Sequence, residues 1–141
     1  MRTRYIVPLV EEHVPFLMAA ALAGVNIDPM VGGTRYVGYG HSKYGFGPVC
    51  LIEAKETQYV VEPHVEWFPW APKREIFAAF KWAMDYWARD RVVMIVVFKK
   101  DNSLHEQCVK RGLLRKIGIL EALPEEAGSE IHMYQYRIKY E

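Results

Sequence analysis

The stretch from Tyr59 to Leu120, called here the central unit, constrains the fold more than any other part of the chain. It predicts a strand (Tyr59–Phe68), a helix (Lys73–Arg89), a second strand (Val92–Phe98) and a second helix that begins near Asp101. The second strand is an uninterrupted apolar run, which is typical of a central strand buried on both faces. Such a unit brings a helix N-terminus beside strand ends, where backbone N–H groups can bind an anion. We therefore expect any small-molecule site to lie in the central unit.

The segments on either side of the central unit predict further strands and one further helix. They are the strands Tyr5–Val10, two within Thr34–Lys55, Leu113–Leu120 and His132–Tyr140, and the helix Glu11–Ala23. A hairpin or longer loop around His41–Pro48 joins the two strands of the glycine- and tyrosine-rich segment. The resulting order, β-α-β-β-β-α-β-α-β-β, predicts a mixed α/β (α+β) fold with helices flanking one central sheet. The length of 141 residues fits one domain, residues 1–141.

Charge and cysteine content argue against several kinds of protein. The formal net charge is +1, whereas nonspecific binding of nucleic acid needs a concentrated basic surface. Cys50 and Cys108 lie far apart, so they predict neither a zinc site nor a disulfide framework, and the histidines show no metal-ligand spacing. No apolar run approaches the ~18 to 20 residues that cross a bilayer. We therefore expect a soluble, cytoplasmic protein without metal, nucleic-acid or membrane partners.

Two groups of side chains in the central unit are candidates for function. Alternation along the first strand places Glu62, His64 and Glu66 on one face. They form either a catalytic group or a polar surface for protein contact. Lys73 and Arg74 lie at the start of the following helix, where they are either a phosphate-binding pair or part of a solvated first turn.

The order of elements resembles the GNAT-type N-acyltransferase superfamily along nearly the whole chain. In that family an asparagine opens a late helix, which ends in a glycine followed by an apolar residue. The features that carry the resemblance are the strand reaching Trp67-Phe68, the turn Pro69-Trp70-Ala71-Pro72 into a helix, the buried strand Val92–Phe98, and Asn102 leading through Cys108 to Gly112-Leu113.

The resemblance implies acetyl-CoA or another acyl-CoA as the cofactor, with its pyrophosphate at the N-terminus of the central helix. It also implies a base, on the strand before this helix, that takes a proton from an incoming amine, and an acid on the later helix that protonates the thiolate. Carried onto this chain, the catalytic candidates are Glu66, His64 and Cys108. The cofactor-binding candidates are Phe68, Trp70, Lys73, Arg74, Glu75 and Asn102.

The chain departs from the family pattern where the phosphate-binding glycines should lie. Those positions hold Lys73, Glu75 and Phe77, although glycines let backbone N–H groups approach phosphates and a carboxylate repels them. The segment His64–Ala71 is also similar to one in acetyltransferase-like proteins of tailed bacteriophages, including a head-assembly family. This second resemblance implies contacts with phage structural proteins, in the host cytoplasm or in the virion.

Two functions therefore stay open. The first is an assembly protein with a degenerate acyl-CoA site, acting through protein contacts in which Trp67 or Trp70 forms a hot spot. The second is an active N-acetyltransferase that moves an acyl group from acyl-CoA to an amine. We favour the first because the phosphate loop lacks its glycines and Cys108 stands where the family has its acid.

Overall fold

The computed structural model describes residues 5–29, 32–72, 76–121 and 130–136. In this part of the chain, seven strands and three helices follow one another in the predicted order. They are β1 (Tyr5–Pro8), α1 (Val14–Leu22), β2 (Thr34–Ser42), β3 (Gly45–Glu56), β4 (Val60–Trp67), α2 (Ile76–Ala88), β5 (Val92–Phe98), α3 (Ser103–Lys110), β6 (Leu114–Glu121) and β7 (Glu130–Tyr136).

The strands form one mixed sheet in the order β1-β2-β3-β4-β5-β7-β6. Every neighbouring pair is antiparallel except β4 and β5, which are parallel. A parallel pair needs a crossover connection, and α2 supplies it between β4 and β5. The predicted mixed α/β fold, a central sheet flanked by helices, is confirmed.

The main core lies between the sheet and the pair α2 and α3. Ala83, Met84 and Trp87 form the buried face of α2, and they pack with Val61 and Val93 of the sheet. Trp87 follows Ala83 and Met84 by four and three residues, the spacing that places side chains on one helix face. A smaller core lies under α1, where the buried residues are Leu17, Ala20, Leu51 and Phe68. The helices therefore cover opposite faces of the sheet.

The prediction that β5 is buried on both faces is wrong. Val93 and Ile95 are buried under α2 and α3, but Val92 is 46% exposed and the remaining residues of the strand are only partly buried. The cause is the position of α1, whose buried sheet partners are Leu51 on β3 and Phe68 after β4. On its face of the sheet, α1 covers β3 and the end of β4 and leaves β5 partly exposed. An apolar run in a central strand therefore does not by itself imply a helix layer on both faces.

Several predicted boundaries shift. β1 ends at Pro8, and a 3₁₀ turn over Glu11–His13 precedes α1. The middle hairpin has a two-residue turn between Ser42 and Gly45, which are paired, and Gly45 has a φ of +99° that favours glycine. Residues 73–75, 122–129 and 137–140 lie outside the described residues, so the last part of the predicted strand His132–Tyr140 is among them.

Gly38 on β2 permits a close approach to β3. A Cβ atom at this position would lie 2.5 Å from the Sγ of Cys50. We expect Gly38→Ala to lower the free energy of unfolding by about 1 to 3 kcal/mol, because the buried sulfur must shift. Gly47→Ala is the matched control, since a Cβ there meets nothing within 4 Å. Denaturant unfolding of both variants measures the difference, and equal stabilities would contradict the close approach.

Candidate active site between the diverging strands

β4 and β5 pair over a short distance and then separate. Their parallel register comprises Val60 opposite Val92 and Val61 opposite Val93, although β4 continues to Trp67. β5 stays paired with β7 up to its last residue, Phe98. An opening therefore widens between the carboxyl ends of β4 and β5, at the edge where ligands bind in open α/β sheets.

The backbone hydrogen bonds of β4 alternate between its two neighbours. The N–H of Phe68 donates to the carbonyl of Val49 at 2.9 Å, and the N–H of Thr57 donates to the carbonyl of Val60 at 2.9 Å. Because such bonds alternate along an antiparallel ladder, the even-numbered residues of β4 direct their backbone groups to β3. The odd-numbered residues direct theirs toward β5.

Beyond Val61, these odd-numbered backbone groups have no ladder partner among the described strands. Pro63 is the first of them and has no N–H, so it cannot continue the ladder to β5. The N–H groups of Val65 and Trp67 and the carbonyls of Pro63 and Val65 then face the opening. This part of β4 is an unpaired strand edge that a ligand can use for hydrogen bonds.

A cavity of about 620 Å³ occupies the opening. Its volume lies in the range of ~300 to 1,000 Å³ that is usual for small-molecule sites. Its apolar wall includes Val65 of β4, Met84 of α2, Ile95 and Val97 of β5, and Leu104 of α3. The cavity thus combines an apolar wall with a polar strand edge.

Four ionisable side chains also line the cavity: His64, Glu66, Asp101 and His105. Desolvation raises the pKa of the Glu66 carboxyl above its ordinary value, and the charge of Asp101 raises it further, while His64 opposes the shift. A raised pKa brings a carboxylate closer to the strength of a general base that works near neutral pH.

His64 is held by a neighbour on the same strand face. Its Nε2 lies 3.2 Å from the Oε1 of Glu62. Together with Glu66, these residues occupy alternate positions of β4, which agrees with the single polar face that the sequence predicts. The polar face of β4 therefore reaches the cavity through His64 and Glu66.

A hydrogen-bond cluster fixes α3 to β7 beside the cavity. The Nδ2 of Asn102 lies 3.2 Å from the hydroxyl of Tyr134, to which it donates, and 3.3 Å from the Nδ1 of His132. The Tyr134 hydroxyl donates to the Oε2 of Glu106 at 2.5 Å. Asn102, a predicted cofactor ligand, thus links the start of α3 to β7 through these two contacts.

Three other predicted site residues, Cys108, Phe68 and Trp70, lie apart from the cavity. Cys108 is fully buried in the core of α2 and α3, where burial raises the pKa of its thiol to about 11. Phe68 is buried under α1 and its ring lies 5.0 Å from that of Trp70, whose indole N–H donates to the carbonyl of Pro48 at 2.6 Å. Both aromatic residues pack beneath α1.

Three further predicted cofactor ligands, Lys73, Arg74 and Glu75, lie outside the described residues. The cavity includes two ionisable residues that the sequence did not single out as site residues, Asp101 and His105. His105 could have been found by its spacing, because it lies three residues before Cys108 and so on a neighbouring part of the same helix face. Among the described residues, there is no group of three His, Cys, Asp or Glu side chains that could hold a metal ion. No described helix is long and apolar enough to cross a membrane.

No protein-family model matches the sequence, and no curated protein matches it. Solved structures do resemble it. A chimera of the spermidine N-acetyltransferase SpeG from Vibrio cholerae and hSSAT has a TM-score of 0.70 at 11% identity, over 95% of this chain and 95% of the chimera. The ribosomal-protein-alanine N-acetyltransferase from Escherichia coli has a TM-score of 0.63 at 9% identity, over 99% of this chain and 97% of that enzyme. The chain has the fold of the GNAT acetyltransferases.

Proposed function

We propose that the protein is an acyl-CoA-dependent N-acyltransferase whose active site is the cavity between β4 and β5. The observation that carries this proposal is the unpaired edge of β4, which directs the N–H groups of Val65 and Trp67 into a cavity lined by ionisable side chains. Acyl transfer needs both features, because the donor must be oriented and a proton must be removed from the acceptor.

The edge of β4 fits the narrow, amide-containing arm of acyl-CoA. An extended chain with amide groups can add to a strand edge by hydrogen bonding, as peptides do. Ile95, Val97 and Leu104 supply the apolar wall against which the arm would lie. Lys73 and Arg74 would bind the pyrophosphate at the start of α2, as the family resemblance implies.

In the proposed reaction, backbone groups of β4 would bind the acyl donor and a side chain of β4 would act as the base. A backbone N–H of Val65 or Trp67 would donate to the thioester carbonyl oxygen, where negative charge develops during attack. Glu66 would take a proton from the acceptor ammonium, and its raised pKa suits that role.

The acceptor would be a cationic amine. Two carboxylates, Glu66 and Asp101, line the cavity and attract a positive charge. The structural neighbours named above act on spermidine and on a protein alanine. Spermidine and a peptide with an N-terminal alanine are therefore the first acceptors to compare.

Calorimetric titration with acetyl-CoA, followed by an assay of free thiol release with those two amines, tests the proposal. We expect binding in the micromolar range, as for typical enzyme substrates, and thiol release that depends on an amine. A heat signal that stays at the dilution value up to about 1 mM acetyl-CoA, equivalent to a binding free energy weaker than about −4 kcal/mol, would contradict it.

An assembly function in a tailed bacteriophage is the second candidate, and the outer surface of α1 favours it. Val14, Met18 and Leu22 are 43%, 55% and 89% exposed, and their spacing of four residues places them on one side of the helix. Exposed apolar side chains close together on one helix are typical of contact surfaces. Under this proposal the protein binds phage structural proteins in the host cytoplasm or in the virion. Co-sedimentation with purified phage head proteins tests it: we expect a complex that Met18→Glu weakens, and sedimentation as an unbound protein would contradict this function.

A further inference from the structure

His105 lies on the cavity wall. The proposed function gives it no role, because the edge of β4 binds the acyl donor and Glu66 is the base. α3 contributes Leu104 and His105 to that wall, whereas Cys108 is buried in the core. His105 is thus the ionisable side chain with which α3 meets the cavity.

The ring of His105 rests on a rigid platform. It stacks on the ring of Tyr134 with 5.7 Å between the centroids and 25° between the planes. Tyr134 is fully buried, and its hydroxyl bonds both Asn102 and Glu106. Asn102 at the start of α3 and Glu106 within it therefore hold the Tyr134 ring against the imidazole. The imidazole thus has a defined place beside the cavity, as proton transfer requires.

The surroundings of His105 favour a neutral imidazole. Burial lowers its pKa most, the charge of His64 on β4 lowers it further, and Glu106 on its own helix opposes both effects. Two further charged groups lie nearby. Asp101 also lines the cavity. The Nζ of Lys116 on β6 lies 5.8 Å from the centroid of the Tyr134 ring, on which His105 stacks. A neutral imidazole at neutral pH can accept a proton and then give it up again.

We propose that His105 carries a proton from the attacking nitrogen of the acceptor to the departing sulfur of the acyl donor. This inference rests on the acyl transfer proposed above. The C–N bond forms when the amine attacks the thioester carbonyl carbon, and the C–S bond breaks with its electron pair remaining on sulfur. His105 accepts the proton that the nitrogen loses after attack and donates it to sulfur, which leaves as a thiol. Glu66 takes the other proton, which the ammonium loses before attack, and passes it to solvent.

His105→Gln tests this role in the thiol-release assay, with acetyl-CoA and whichever of spermidine and the alanine peptide the unchanged protein acetylates faster. We expect kcat to fall about a hundredfold or more, while the calorimetric affinity for acetyl-CoA changes less than about threefold, because glutamine retains a polar side chain on the wall. His41→Gln, on the β2 hairpin strand outside the cavity, is the matched control and should leave kcat unchanged.

His105→Ala provides a second readout that a merely structural role would not move. It leaves space for a free imidazole, and we expect added imidazole to restore thiol release with saturation while leaving His41→Gln unaffected. Unchanged kcat in both His105 variants, or a loss that imidazole does not restore in His105→Ala, would overturn the proton-transfer role. Absence of thiol release by the unchanged protein would overturn the proposed acyl transfer and this inference with it. Failure of the His105 role alone is distinct, because the unchanged protein would then still release thiol.

Discussion

Val97→Trp is expected to weaken acetyl-CoA binding by about a hundredfold, a loss of about 2.7 kcal/mol. Val97 lies on β5 where the strand has parted from β4, and its side chain forms part of the cavity wall. An indole at this position would occupy the space in which the arm of acyl-CoA lies in the proposed complex. The fold has room for the larger side chain only inside the cavity, because Val97 otherwise packs against the main core.

Val92→Trp is the control for this variant. It makes the same substitution on the same strand, at a residue that is 46% exposed and pairs with Val60 before the strands separate. Calorimetric titration of both variants, after thermal unfolding has shown that they fold, gives the comparison. Equal affinities for acetyl-CoA would mean that the acyl donor does not enter this cavity.

Glu66→Gln is expected to lower kcat/KM by about 10²- to 10⁴-fold, the usual contribution of a general base. The amide has nearly the same shape as the carboxylate but cannot take a proton from the acceptor. Glu66 acts as a base only when it is ionised, so the rate of the unchanged protein should fall as the pH decreases through its pKa. Desolvation and Asp101 raise that pKa, and the acid limb should therefore lie at a higher pH than an ordinary glutamate would give.

The control for Glu66→Gln is Glu121→Gln, at an exposed position at the end of β6. It should keep both the rate and the acid limb of the unchanged protein. The pH profile of kcat/KM for the three proteins is the measurement. Retention of full activity and of the acid limb in Glu66→Gln would assign the base to another residue.

Much of the fold follows from local patterns. Apolar spacing predicts the buried face of α2 through Ala83, Met84 and Trp87, and the run Val92–Phe98 matches β5 residue for residue. The exposure of β5 on one face could not be predicted, because it depends on where α1 lies over the sheet. That position is set by long-range contacts with Leu51 and Phe68, which no local pattern encodes.

The candidate site likewise has features that a local pattern predicts and features that depend on how elements pack together. Alternation predicts that His64 and Glu66 share a face, since that property belongs to a single strand. The opening beside them arises between two strands, and its sequence signal is Pro63, which has no N–H to donate to β5 at the point where the pairing ends. Which turn of α3 meets the cavity depends on the rotation of that helix about its axis. Motif alignment indicates Cys108, whereas packing places His105 there.

Amide hydrogen exchange along β4 tests most directly the claim that its unpaired edge binds the acyl donor. In the free protein, the amides of Val65 and Trp67 should exchange faster than those of His64 and Glu66, which bond to β3. Saturating acetyl-CoA should slow exchange at Val65 and Trp67 by about tenfold or more, because the donor's arm then accepts their hydrogen bonds. Exchange at these two residues that stays unchanged at saturation would contradict the proposed site.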